Sequence, residues 1–278
     1  MKRAVKSTLV TTGLVLAGLA AGSGSAWAGG CNLYTTTSTC AFNGAGFLVD
    51  ATQPTGTGVI DSFVRIQQKG TEQGYNTSGR PVQFDEKTDP NFTRNLEIAD
   101  VPVVTDPTPS LTGNYLEFFL DINEPASASG SLLTLDQLKI FVSNTPSITD
   151  GYSSAGGGTL EGATKVYDMD TGSTDNWVNL DYNLVGGGSG SGDMVLYVPD
   201  VGFSGNQYIY LYSQFGCVPG KKGKCGSGTN TKYQSGAGFE EWWTLSPDAP
   251  PPPVPEPGTL LLLGSGLVAV ARRRLRLG

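Results

Sequence analysis

The pattern that most constrains this chain is a two-residue alternation of apolar side chains, repeated in short runs. Residues 115–122 place Leu116, Phe118, Leu120 and Ile122 on one face, which is the period of a strand whose successive side chains point to opposite sides. Leu138, Ile140 and Val142 repeat the pattern within 137–143, and 208–212 alternates with Tyr208, Tyr210 and Tyr212 on one side. Runs of the same kind occur at 59–66, 81–84, 101–104, 164–167, 177–180, 194–198 and 239–245. Each is β-branched or aromatic and bounded by Gly, Asn, Asp, Ser or Pro. No stretch of this middle region sustains a helical period between two caps; 132–138, after Ser131, offers at most one or two turns.

About ten short strands with glycine-rich connections predict an all-β fold, an antiparallel β-sandwich of jelly-roll-like topology, over residues 29–246. No repeat of fixed period is present, which argues against a propeller or a solenoid. The glycine runs at 156–158 and 186–192 read as loops. Neither ends in Lys-Ser or Lys-Thr or opens a helix, so neither is a phosphate cradle.

Charge is segregated along the 278 residues. Lys2, Arg3 and Lys6 lie at one end and Arg272, Arg273, Arg274 and Arg276 at the other, leaving 11 basic against 24 acidic residues between Gly29 and Pro253. A body with a net charge of −13 repels phosphate backbones, so no nucleic-acid partner is expected. The chain contains no histidine. Ser-His-Asp and Cys-His catalysis, His-ligated zinc and His pH switching are thereby excluded.

Both ends read as addresses. Residues 1–28 combine a basic start, an apolar stretch over 9–21 and the small-residue ending Ala26-Trp27-Ala28. That is the layout of a secretory signal peptide cleaved after Ala28. Residues 247–253 form a Pro-rich linker, with Pro250 to Pro253 extended as a stiff polyproline spacer. Val254-Pro255-Glu256-Pro257 then precedes an apolar run over 258–271 and the arginine-rich terminus. As a helix that run is about 21 Å long, short of the roughly 30 Å hydrocarbon core. Its lack of a polar face and its flanking arginines, whose stems snorkel, favour a short C-terminal transmembrane helix over a buried or interfacial one. Prolines would keep the segment before it extended and open to a processing enzyme.

The order Pro255-Glu256-Pro257, hydrophobic helix, basic terminus resembles the PEP-CTERM sorting signal of Gram-negative bacteria. The resemblance covers residues 254–278 and implies recognition by a membrane-embedded exosortase that removes the tail on delivery. It further implies an exported, cell-surface or extracellular protein, anchored transiently or permanently, associated with exopolysaccharide and biofilm. Residues 118–124, 208–216 and 238–242 also resemble stretches of PEP-CTERM proteins whose exported domain has no assigned biochemistry.

Four cysteines lie in the exported part: Cys31, Cys40, Cys217 and Cys225. Three connectivities are open. The local pairs Cys31–Cys40 and Cys217–Cys225 are favoured, because each closes a loop rich in turn residues in an oxidising compartment. Neither spacing is C-x-x-C, so metal or redox chemistry is a poor reading.

Candidate chemistry elsewhere is sparse. Asp168 to Asp175 has the clustered carboxylates of a calcium loop, but glycine at its fifth position and no distal glutamate, and a solvated acidic turn explains it as well. Asp121, Asn123 and Glu124 form a second oxygen-rich group, read as an Asx-type turn ending at Pro125. Glu240 and Glu241 beside Trp242 and Trp243 suggest a glycosidase, yet neighbours in a strand point apart and cannot flank one bond. The stripe Tyr208, Tyr210, Tyr212 would stack sugar rings if exposed. Lys221, Lys222 and Lys224 form the one basic cluster of the body, a solvated loop or a contact for an anionic polysaccharide. The expectation is an exported, exosortase-processed structural or adhesive protein, without a cofactor and not an enzyme. The alternatives are a carbohydrate-binding module, calcium-assisted or not, and, more weakly, a surface glycoside hydrolase.

Overall fold

The alternating runs fold as strands in a computed structural model that describes residues 29–50, 60–127, 130–172, 174–185, 192–216, 233–236 and 238–245. In chain order the first nine strands are β1 (Gly30–Leu33), β2 (Thr39–Phe42), β3 (Ala45–Val49), β4 (Ile60–Ile66), β5 (Lys69–Gly70), β6 (Glu72–Tyr75), β7 (Leu96–Glu97), β8 (Val103–Thr105) and β9 (Asn114–Ile122). The series continues with β10 (Leu132–Ser143), β11 (Tyr152–Ser153), β12 (Thr159–Leu160), β13 (Thr164–Asp168), β14 (Trp177–Asp181), β15 (Met194–Pro199), β16 (Tyr208–Phe215), β17 (Ser235–Gly236) and β18 (Glu240–Leu245). The helical segments that lie wholly within the described residues are two single 3₁₀ turns, Ile98–Asp100 and Ala155–Gly157. The fold is all-β.

Two seven-stranded sheets and two small strand pairs result. The first sheet runs β1-β14-β10-β16-β6, with β13 beside β10 and β7 beside β16. The second runs β2-β3-β15-β9-β18-β4, with β8 beside β9. Pairing is antiparallel throughout both sheets except for β1 with β14, which is parallel. The small pairs are β11 with β12 and β5 with β17.

One apolar cluster draws on both large sheets. Leu133, Leu138, Ile140, Ile209 and Leu211 enter it from the first sheet, and Phe47, Phe63, Phe118, Leu120 and Trp242 from the second. Burying each such side chain stabilises by roughly 1.5–3 kcal/mol. The Trp242 indole N–H donates to Ser213 Oγ at 3.0 Å, joining β18 to β16. A disulfide between Cys31 on β1 and Cys40 on β2 ties the two sheets together at their edges.

Three local readings need correction. Residues 132–138 are not helical turns but the first half of β10. A register shift between Leu135 and Gln137 inserts Asp136, so the inward set Leu133, Leu135 continues as Leu138, Ile140, Val142. That bulge is what gave the segment its three-residue apolar spacing. Residues 81–84 are not a strand; the Gln83 side chain takes the ladder's place, its amide donating to the Tyr152 carbonyl (2.8 Å) and accepting from the Tyr152 N–H (2.9 Å). The hairpin β2–β3 escaped the alternation test, although its turn, Asn43 (φ 52°) and Gly44 (φ 87°), is the Asn-Gly pair that a two-residue hairpin favours.

Candidate functional site

Two of the three tyrosines of the β16 stripe do not face solvent, and Tyr208 is half-buried. Tyr210 and Tyr212 are buried. Tyr152 from β11 stacks on Tyr212 with ring centroids 3.9 Å apart, and Phe84 meets Tyr75, Tyr152 and Tyr212 edge-on. Tyr210 donates to the Thr145 carbonyl at 2.6 Å and Tyr212 to Gln73 Oε1 at 2.7 Å. Both faces and both hydroxyls are committed, and burial raises the Tyr212 hydroxyl far above its ordinary range. The stripe is a second apolar core, not a platform for sugar rings.

Glu240 and Glu241 part company as the strand period requires. Arg65, opposite Glu241 in the β4–β18 register, holds it through two contacts from Nη2, 2.9 Å to Oε1 and 2.8 Å to Oε2. The same guanidinium lies 3.5 Å from the Phe92 ring centre and 4.3 Å from that of Phe239. Glu240 points to the other face and is completely buried. No N–H or O–H donor reaches either of its oxygens; within hydrogen-bonding reach lie two further carboxyls, Glu72 of β6 and Glu124 just beyond β9. Burial and these two neighbours push Glu240 well above the ordinary carboxylate range, so it holds its proton. The two glutamates therefore cannot address one glycosidic bond.

Asp121, Asn123 and Glu124 also diverge. The Asn123 N–H extends the ladder to the Phe239 carbonyl at 3.1 Å, while Glu124 accepts the Gly236 N–H at 3.1 and 2.8 Å. Asp121 belongs to another group, with Asp193 and Asp50. Asp193 Oδ2 accepts the Ile122 N–H at 2.8 Å, and burial, with Asp121, Asp50 and Asp181 nearby, pushes its carboxyl up to about 8.

In the 168–175 loop, Asp168 is bound by two lysines. Lys139 Nζ lies 2.8 Å from Oδ1 and Lys165 Nζ 2.6 Å from Oδ2. Asp170 Oδ1 accepts the Asn176 N–H at 2.7 Å. A calcium ion at Asp168 would have to displace both ammonium groups. Among the described residues no group of three or more His, Cys, Asp or Glu is arranged to hold a metal. The lysine–aspartate set instead lines a polar cleft of about 670 Å³ together with Gln137, Gly156 and Thr171. Alternation could not have found it, because its walls come from two loops and the outward positions of β10 and β13.

The remaining expected features lie outside the described residues: the cleavage site Ala26 and Ala28, the pair Cys217 and Cys225, the cluster Lys221, Lys222 and Lys224, and everything from Ser246 onward. Among the described residues no helix is long and apolar enough to cross a membrane.

Residues 253–275 match the family model of the PEP-CTERM protein-sorting motif. The match spans Pro255, Glu256 and Pro257 as well as Arg272, Arg273 and Arg274. The chain therefore carries an exosortase-targeting motif and is an exported, surface-sorted protein. No curated protein matches the chain, and no solved structure matches it.

Proposed function

We propose that the mature protein is a structural or adhesive component of the cell surface or extracellular matrix, working within exopolysaccharide. The observation that carries this is the sorting motif at 253–275 behind an all-β body. In this reading the body is a β-sandwich of jelly-roll kind. A helix over 258–271 holds it in the membrane until exosortase acts, and the protein is not an enzyme. The chemistry of the body supports the reading: Glu240 and Glu241 face opposite sides, and the tyrosines that would grip a sugar are packed on one another.

The test is processing in a host that possesses the sorting enzyme. Intact-mass measurement and fractionation should find the unaltered protein outside, shortened at both ends. The Glu256→Ala variant should remain membrane-associated with its tail intact. If the variant is processed and delivered like the unaltered protein, the assignment is wrong. Adhesion is tested by deleting the protein and weighing the retained exopolysaccharide, which should fall.

A second reading, a carbohydrate-binding module, is favoured by the polar cleft beside Lys139, Lys165 and Asp168. It expects retention on an immobilised polysaccharide and loss of retention with Lys165→Ala. Loss on adding a chelator would mark the binding as calcium-assisted. If the protein elutes unretained from neutral and acidic polysaccharides alike, this reading fails.

A further inference from the structure

Glu72, Glu124 and Glu240 reach one another from three separate parts of the chain. Glu72 stands on β6, Glu124 follows β9, and Glu240 opens β18. All three are buried, with Glu72 and Glu240 wholly inaccessible. None of them is ion-paired to a lysine or arginine among the described residues. Three bare carboxylates in such a place would repel one another in a medium of low polarity. The surroundings decide where protons sit. Glu72 Oε2 accepts the Gln68 N–H at 2.7 Å, and Glu124 accepts the Gly236 N–H with both oxygens. Glu240 lacks such an amide and lies deepest, so it is the member where a proton is best kept, its single O–H directed to Glu72 or to Glu124.

The two amides that complete the cluster are informative. Gln68 immediately precedes β5, and Gly236 is the second residue of β17, the strand paired with β5 through Ser235↔Gly70 and Gly236↔Lys69. The small β5–β17 pair is thus hydrogen-bonded to the body through Glu72 and Glu124, and Ser235 of the same pair reaches both carboxyls. A side chain at Gly236 would sit 2.7 Å from Glu124 Oε2, so only glycine lets β17 approach this closely.

We propose that Glu72, Glu124 and Glu240 form a proton-shared lock that holds the β5–β17 pair against the body and loosens as the surroundings turn alkaline. Ile66 of β4 and Ile122 of β9 flank Glu240 in register, Glu72 and Glu124 face it from β6 and the end of β9, and Ser235 of β17 bonds to those two carboxyls. Asp85, from the segment after β6, adds a further negative charge beside Glu72. Among the described residues no ion pair brings positive charge to the three carboxyls. Loss of the shared proton to solvent leaves carboxylates in contact, and the short strand pair, joined by two residue pairs, gives way.

Hydrogen exchange on the intact chain tests this. Protection of the Gln68 and Gly236 amides, corrected for intrinsic exchange, should fall roughly tenfold for each pH unit beyond the point at which the shared proton is lost. Amides in the centre of β10 and β16 should hold their protection over the same range. Glu240→Gln keeps a donor that cannot ionise and should make protection at Gln68 and Gly236 independent of pH. Should that variant not fold, Glu124→Gln removes one charge and should move the fall to higher pH. A flat profile in the unaltered protein, or an unshifted fall in both variants, overturns the proposal. So does restoration of protection at high pH by calcium chloride, since the triad would then be a cation site.

Discussion

Cys31 lies on an edge strand of one large sheet and Cys40 on an edge strand of the other, so their disulfide closes a turn and fastens two sheets at once. The sequence separation of 9 residues corresponds to about 2.5 kcal/mol of chain entropy removed from the unfolded state. Replacing both cysteines with serine should lower the unfolding free energy from urea melts by that amount without changing the fold's circular dichroism. A much larger loss would mean that the two sheets do not hold together without the bond.

The Arg65–Glu241 pair makes a sharper prediction. Glu241 is almost wholly enclosed, and its positive partner is sandwiched between Phe92 and Phe239. Arg65→Met should cost about 3 kcal/mol, because it strands a carboxylate that cannot reach water. Arg65→Met combined with Glu241→Leu should recover most of that loss. Equal stability of single and double variants in urea melts would show the ion pair to be incidental.

The sequence exposed the sheets and concealed the sites for one physical reason. Alternation reports which side of a strand is apolar, and it found β4, β9, β15, β16 and β18 because each keeps its period over several residues. It does not report what lies on top of a strand. Tyr210 and Tyr212 satisfy the period of a half-exposed face as well as that of a buried one; the second layer that covers them comes from Phe84, outside any strand, and Tyr152, on a two-residue strand too short to show a period. In the same way the partner of Glu241 was a requirement that the strand period imposed, whereas Arg65 as its identity depends on β4 pairing with β18, about 175 residues apart. The gathering of Glu72, Glu124 and Glu240 is of the same long-range kind. The sorting motif was legible in full because its three parts are contiguous.

The aromatic layer predicts how substitutions in the stripe behave. Tyr210→Ala removes a buried ring and should cost about 3–5 kcal/mol. Tyr212→Phe removes one hydrogen bond, to Gln73, and should cost about 1 kcal/mol. Both should appear in thermal melts as loss of stability. If Tyr210→Ala instead melts like the unaltered protein and alters only retention on a polysaccharide, the burial described for this face is wrong.

The Asp50, Asp121, Asp193 group gives the body an inverted pH dependence. Asp193 ionises at an ordinary value of 3.8 when unfolded and at about 8 when folded, chiefly because it is buried. The folded state thus holds the proton more tightly than the unfolded state. Its stabilising contribution is fully present below about pH 4 and is lost as pH rises through about 8. Glu124 acts in the same direction, from 4.5 to about 7. A protein dominated by salt-bridged carboxylates would do the opposite and weaken in acid. Thermal midpoints should therefore be higher near pH 5 than near pH 8.5. Asp193→Asn, which keeps an oxygen for the Ile122 N–H, should flatten that slope while leaving the midpoint near pH 5 within a few degrees. A midpoint that climbs from pH 5 to pH 8.5 would mean that Asp193 does not hold its proton in the fold.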